Sequence, residues 1–122
     1  MEKQRFITIL IILAVLLLSG SILYYKLTGE VVANSDLEEF AKYLGQNSEL
    51  YVQIGCVHCK TQEDMFGDSL KYLTLIDCLE NVNKQKCIDN NILLTPTWII
   101  NGEKYEGVQT IEKLKELTNY NK

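Results

Sequence analysis

Residues 50 to 70 read LYVQIGCVHCKTQEDMFGDSL, and the order of elements within them decides the fold. Leu50 to Ile54 has the β-branched and aromatic content of a strand, and Gly55 terminates it. From Cys56 to about Leu70 the spacing changes to that of a helix, with Met65, Phe66 and Leu70 as its buried residues. Two cysteines, Cys56 and Cys59, therefore fall at the junction where a strand hands over to a helix. An isolated Cys-x-x-Cys says little; one placed at the first turn of a helix says more.

Working outward, Leu37, Phe40, Ala41 and Leu44 follow i, i+3, i+4, i+7 spacing and predict a preceding helix. Asn34 or Ser35 is placed to cap it and Gly45 to end it. Leu73 to Asp77 predicts a second strand, and Asn81 to about Asn90 a polar helix. Thr97 to Ile100 (TWII) is apolar on both faces, which predicts a central strand. Asn101-Gly102 is a strong hairpin signal leading to a fourth strand over Lys104 to Gly107. Ile111, Leu114 and Leu117 mark a closing helix. The order α-β-α-β-α-β-β-α predicts an α/β domain with a mixed four-stranded sheet flanked by helices.

At a helix start, Cys56 faces unsatisfied backbone N–H groups and the positive end of the dipole, both of which favour a thiolate. Its pKa is expected below the free value of about 8.5, aided by His58 when protonated and by Lys60. Cys59, one turn on, is expected to be less exposed. Cys56 would then attack a substrate disulfide and Cys59 would resolve the mixed disulfide, or the steps would run in reverse. Other readings stand beside this one. Cys56 and Cys59 could form half a zinc site with Cys78 and Cys87, although the second pair is nine apart where short spacings are usual. They could also form a purely structural disulfide, and His58 and Lys60 could be solvated surface residues. Pro96, within Thr95-Pro96-Thr97, could be a trans proline opening a strand or a cis proline that turns the Thr95 backbone toward Cys56.

The chain has 122 residues and a net charge of −4. No Lys/Arg cluster is present, which argues against a nucleic-acid binder. Phe6 to Leu23 is an uncharged apolar run of about 18 residues, enough to approach the bilayer core as a helix. Lys3 and Arg5 precede it, whereas only Lys26 follows closely before Glu30, Asp36, Glu38 and Glu39. That asymmetry predicts a single-pass cell-membrane anchor with the N-terminus cytoplasmic and the domain extracytoplasmic. Tyr24 and Tyr25 sit where interfacial anchors belong. A cleaved signal peptide using Val31 and Ala33 is the competing reading. The expected organisation is 1–25 stub and membrane helix, 26–34 tether and 35–122 domain. Four cysteines in so small a domain suggest an oxidising compartment.

YVQIGCVHCKTQEDMFG (residues 51–67) followed by TPTWIINGEKYEGV (residues 95–108) resembles the thioredoxin-like fold family. Within it, the similarity is to the domain fused to, or partnering, vitamin K epoxide reductase homologues. The Cys-x-His-Cys form is also similar to the periplasmic disulfide-oxidase family. The resemblance covers about residues 36–120. It implies a cis Pro96, Cys56 as nucleophile, Cys59 as resolving cysteine, and Cys78 and Cys87 as a second, structural pair or a redox relay. No cofactor and no bound metal are expected. Substrates would be proteins with thiols or disulfides, and the reoxidising partner a separate vitamin K epoxide reductase-like membrane protein, since no multi-helix quinone-reducing segment accompanies the sequence. No feature suggests a dimer.

The sequence departs from that branch at three places. Val57 stands where a proline is common, Gly55 where an aromatic is usual, and Leu50 where many thioredoxins place an acid that assists deprotonation of the second cysteine. An oxidase donating disulfides is the leading expectation. A reductase or isomerase fed by a membrane electron transporter runs the same chemistry in the other direction. A non-redox metal-binding or chaperone-like module is a third reading.

Overall fold

The computed structural model describes residues 1–121, the side chains of residues 22–34 excepted. The chain divides into two units, Met1–Asp36 and Leu37–Lys122, and helix α1 (Glu2–Asn47) contributes to both. In the first unit, Glu2–Ser21 is long and apolar enough to cross a membrane, a property that signal sequences share. Its apolar side chains, Phe6 to Leu18 among them, are exposed to solvent. The side chains of the expected tether at 26–34, of the anchors Tyr24 and Tyr25, of the cleavage residues Val31 and Ala33 and of the cap candidate Asn34 lie outside the described residues. Ser35 lies within α1 and does not cap it.

The second unit is built on four strands: β1 (Ser48–Val52), β2 (Leu75–Asp77), β3 (Thr97–Ile100) and β4 (Glu103–Glu106). They lie in the order β2-β1-β3-β4. β1 and β2 are parallel, with Tyr51 opposite Ile76, while β1–β3 and β3–β4 are antiparallel. The sheet is therefore mixed, with TWII internal as its apolar content requires. Helices α2 (Val57–Asp64), α3 (Asn81–Asp89) and α4 (Ile111–Leu117) and a 3₁₀ turn (Gly67–Tyr72) complete the unit.

Strand alternation sorts side chains onto the two faces. Leu50, Val52, Trp98 and Ile100 point into the larger cluster, with Phe40, Ala41, Leu44, Cys59, Phe66, Leu73 and Leu114 from the helical segments. Tyr51 and Ile99 point the other way and meet Ile76, Ile92, Cys78 and Cys87. One face is thus covered by the end of α1 with α2 and α4, and the other by α3 and its flanking chain. Phe40 and Tyr43 of α1 both pack on Tyr120, with ring centroids 4.9 and 5.1 Å apart.

Two expected boundaries are corrected. β1 starts at Ser48 and stops at Val52, so Gln53, Ile54 and Gly55 form a turn and not the end of the strand. The helix expected from Cys56 to Leu70 is interrupted: α2 stops at Asp64, Gly67 takes a positive φ of 49°, and the chain continues as the 3₁₀ turn. Phe66 is fully buried there, while Met65 and Leu70 are half-buried against the same cluster.

Gly45 also departs from expectation. It does not end α1, which continues to Asn47. A Cβ at this position would collide with the Tyr72 carbonyl oxygen and lie 3.2 Å from the Leu73 Cα. The Thr74 hydroxyl donates to the Gly45 carbonyl at 2.7 Å. The glycine is required for this close approach of helix and chain, both sides of which are backbone. Gly45→Ala is expected to lower stability by about 1–3 kcal/mol or more, the cost of overpacking a site that cannot relax. Denaturant unfolding of the variant checks this; an unchanged midpoint would contradict it.

Candidate active site

The turn after β1 delivers Cys56. Gly55 has φ +84°, a left-handed conformation that side chains resist, so an aromatic in its place would be strained here. Cys56 then takes an extended conformation (φ −77°, ψ 113°) as the N-cap of α2, and its sulfur accepts the Cys59 N–H at 3.1 Å. Cys56 and Cys59 are joined in a disulfide with Cα atoms 5.2 Å apart. Cys59 is buried at 1% exposure, whereas Cys56 is half-exposed at the start of the helix.

Thr95 closes the other side. Its carbonyl oxygen lies 3.5 Å from the Cys56 sulfur, and its hydroxyl can donate to that sulfur at 3.6 Å. The Thr95–Pro96 peptide is cis, and Pro96 is buried. His58 is exposed. Lys60 is engaged with Asp64 one turn along, and that hydrogen bond, with the carboxylate's charge, holds its pKa above the usual lysine value. Its ammonium is therefore directed along α2 and away from the Cys56 end.

One polar residue of the site was missed from sequence. Gln62, fully buried, accepts from Trp98 Nε1 at 3.1 Å and from the Gln109 N–H at 2.7 Å, and donates to the Gln109 carbonyl at 3.0 Å. The available signal was its position: it falls three after Cys59 and four before Phe66, on the buried stripe of the segment.

Cys78 and Cys87 form the second disulfide, Cα atoms 5.8 Å apart, between the end of β2 and α3. All four cysteines are thereby paired. Around it, polar contacts hold α3 to the sheet. Tyr51 Oη donates to Glu49 at 2.7 Å and accepts from Asn90 Nδ2 at 3.1 Å, and Lys86 bonds the other Glu49 oxygen at 2.6 Å. Lys104 donates to the Asn90 and Asn91 carbonyls at 3.2 and 3.1 Å, at the end of α3. These ties fix the chain that runs from α3 to Thr95. Burial, together with the bond to Glu49, pushes the Tyr51 hydroxyl far above its usual pKa, so it stays a donor.

An α/β domain whose mixed sheet delivers a Cys-x-x-Cys disulfide to the start of a helix fits the thioredoxin-like fold. Among curated proteins, thiol-disulfide oxidoreductase LTO1 of Arabidopsis thaliana is 32% identical over 88 residues, which are 66% of this chain and 23% of that protein. The chain thus spans about a quarter of the relative it matches. No protein-family profile matches the sequence. The likeness and the disulfide-capable pair together support an oxidoreductase.

Partial burial alone would raise the Glu49 pKa, but the bonds from Lys86 and Tyr51 outweigh it and leave the carboxyl below its ordinary value. A carboxyl lowered by folding stabilises the native state above its unfolded pKa of about 4.3 and loses that contribution as pH falls through the folded value. Glu49→Gln is therefore expected to be less stable than wild type at pH 7, with the gap closing toward pH 3. Unfolding midpoints across that range test this, and a constant gap would contradict it.

Proposed function

We propose that this chain is a membrane-anchored thiol–disulfide oxidoreductase that donates the Cys56–Cys59 disulfide to extracytoplasmic protein substrates. The observation that carries the reading is a disulfide at a helix start, with Cys56 partly exposed and Cys59 buried, beside the Thr95 backbone. A substrate thiolate attacks Cys56 Sγ, the Sγ–Sγ bond breaks, and its electron pair leaves on Cys59. The second substrate thiolate then attacks the substrate sulfur of the mixed disulfide and expels Cys56 as a thiolate. Two electrons and two protons pass from substrate to protein, and the substrate gains one disulfide.

The Cys59 N–H and the Thr95 hydroxyl both reach the Cys56 sulfur, and each favours the thiolate leaving group. His58, the next-but-one residue, adds positive charge there when protonated. Thr95, before Pro96, offers its backbone to an extended substrate strand. Cys78–Cys87 serves as a structural cross-link. Lys3 and Arg5 before the apolar segment, and acidic residues after it, support an inside N-terminus and an outside domain. A vitamin K epoxide reductase-like membrane protein would reoxidise the pair, and its proximity in the membrane would raise the effective concentration.

A Cys59→Ala variant is expected to accumulate mixed disulfides at Cys56, located by peptide mapping; accumulation at Cys78 or Cys87 would contradict the assignment. Direction is read from the equilibrium of the pair with glutathione. The oxidase reading expects a potential well above the approximately −270 mV of thioredoxin, and a value near that figure would reverse the direction of flow.

A further inference from the structure

α2 is capped by one cysteine of the reactive pair and carries the other, but is only eight residues long. Its other described side-chain bonds stay within the helix: Lys60 to Asp64, and the Thr61 hydroxyl to the Val57 carbonyl at 3.1 Å. Gln62 differs. Its amide leaves the helix and binds two separate segments, β3 through Trp98 and the chain after β4 through Gln109. With Gln109 it makes a two-way bond, accepting from the N–H and donating to the carbonyl, as a neighbouring strand residue would. The remaining amide hydrogen faces Met65 Sδ at 3.7 Å.

Trp98 lies two residues beyond Pro96 and three beyond Thr95. Helix α2 is thus tied to the same strand segment at two points, at Cys56 through Thr95 and at Gln62 through Trp98. Gln62 is also three residues from Cys59 on one helical face, and both side chains are buried. We propose that Gln62 is a positioning residue for the reactive pair, locking α2 against β3 so that Cys56 is held within reach of Thr95. The inference rests on the redox reading of Cys56–Cys59 and adds to it what fixes their geometry.

An amide suits this role for a chemical reason. The site presents two donors, Trp98 Nε1 and the Gln109 N–H, and one acceptor, the Gln109 carbonyl. A carboxylate could not donate to that carbonyl, and an apolar side chain would take the partner from all three groups, the Trp98 indole being fully buried. Without the lock, α2 is held against the sheet by the packing of Cys59 alone, and the Thr95 hydroxyl is held less closely beside Cys56. The thiolate then loses support, its pKa rises, and the reduced form weakens relative to the disulfide.

The test uses the full chain in a glutathione buffer, where two glutathione thiols are oxidised to one glutathione disulfide as Cys56–Cys59 is reduced. Gln62→Met keeps length and volume and removes the bonds. It is expected to shift the equilibrium toward the protein disulfide at least about threefold, or about 14 mV. The Cys56 thiolate titration is expected to move upward with it. Trp98→Phe, which removes the indole donor and leaves a smaller ring in the same buried place, is expected to shift the same way by less, and it decides the matter if Gln62→Met fails to fold. Leu114→Ala, a buried truncation in α4, is expected to lower the melting temperature without moving the equilibrium. The proposal is overturned if the variant that decides it leaves the equilibrium and the titration unchanged, or if Leu114→Ala shifts them as much. A wild-type pair that does not exchange with glutathione at all would instead overturn the redox reading and this inference with it.

Discussion

Antiparallel pairing of β1 with β3, with Tyr51 opposite Thr97, sets the geometry on which the site depends. In that register the chain leaving β1 and the chain entering β3 are at the same end of the sheet. Cys56 follows β1 by four residues and Thr95 precedes β3 by two, so the two meet. A slip of one residue would turn Trp98 and Ile100 out of the larger cluster and bring Ile99 into it. The buried Trp98 side chain, bonded through Nε1 to Gln62, therefore opposes any slip that would separate Cys56 from Thr95.

The two faces of the sheet serve different ends. The larger cluster holds α2 and its buried Cys59 down on the sheet. The smaller one, centred on Tyr51, is reinforced by a disulfide and by the polar ties of Glu49, Asn90 and Lys86. A short polar helix such as α3 has little apolar surface to bury, so covalent and charge-assisted ties take over from packing. The consequence for the site is mechanical: α3 is the element from which the chain runs to Thr95, and anchoring it restrains Thr95.

Much of this was legible in the residues. Thr97 to Ile100 was placed correctly because an apolar run bounded by a proline and by Asn-Gly has few other solutions. The Cys-x-x-Cys was readable for the same kind of reason, since a strand signal ended immediately before it. Gly45 was misread because a glycine that ends a helix and one that admits a neighbouring backbone look alike in one dimension; only the Tyr72 carbonyl separates them. The break near Gly67 was missed because the buried residues Phe66 and Leu70 keep helical spacing across it. Gln62 was passed over because a glutamine in a polar helix is ordinarily solvated, and its partners, Trp98 and Gln109, lie far along the chain.

The central claim is that the two disulfides differ in kind, one placed for exchange and the other holding α3. Titrating the oxidised protein with limiting dithiol, then alkylating and mapping the labelled cysteines by mass spectrometry, tests it most directly. The account predicts that Cys56 and Cys59 are labelled together while Cys78–Cys87 stays intact. Labelling of Cys78 and Cys87 first, or of all four in parallel, would contradict it.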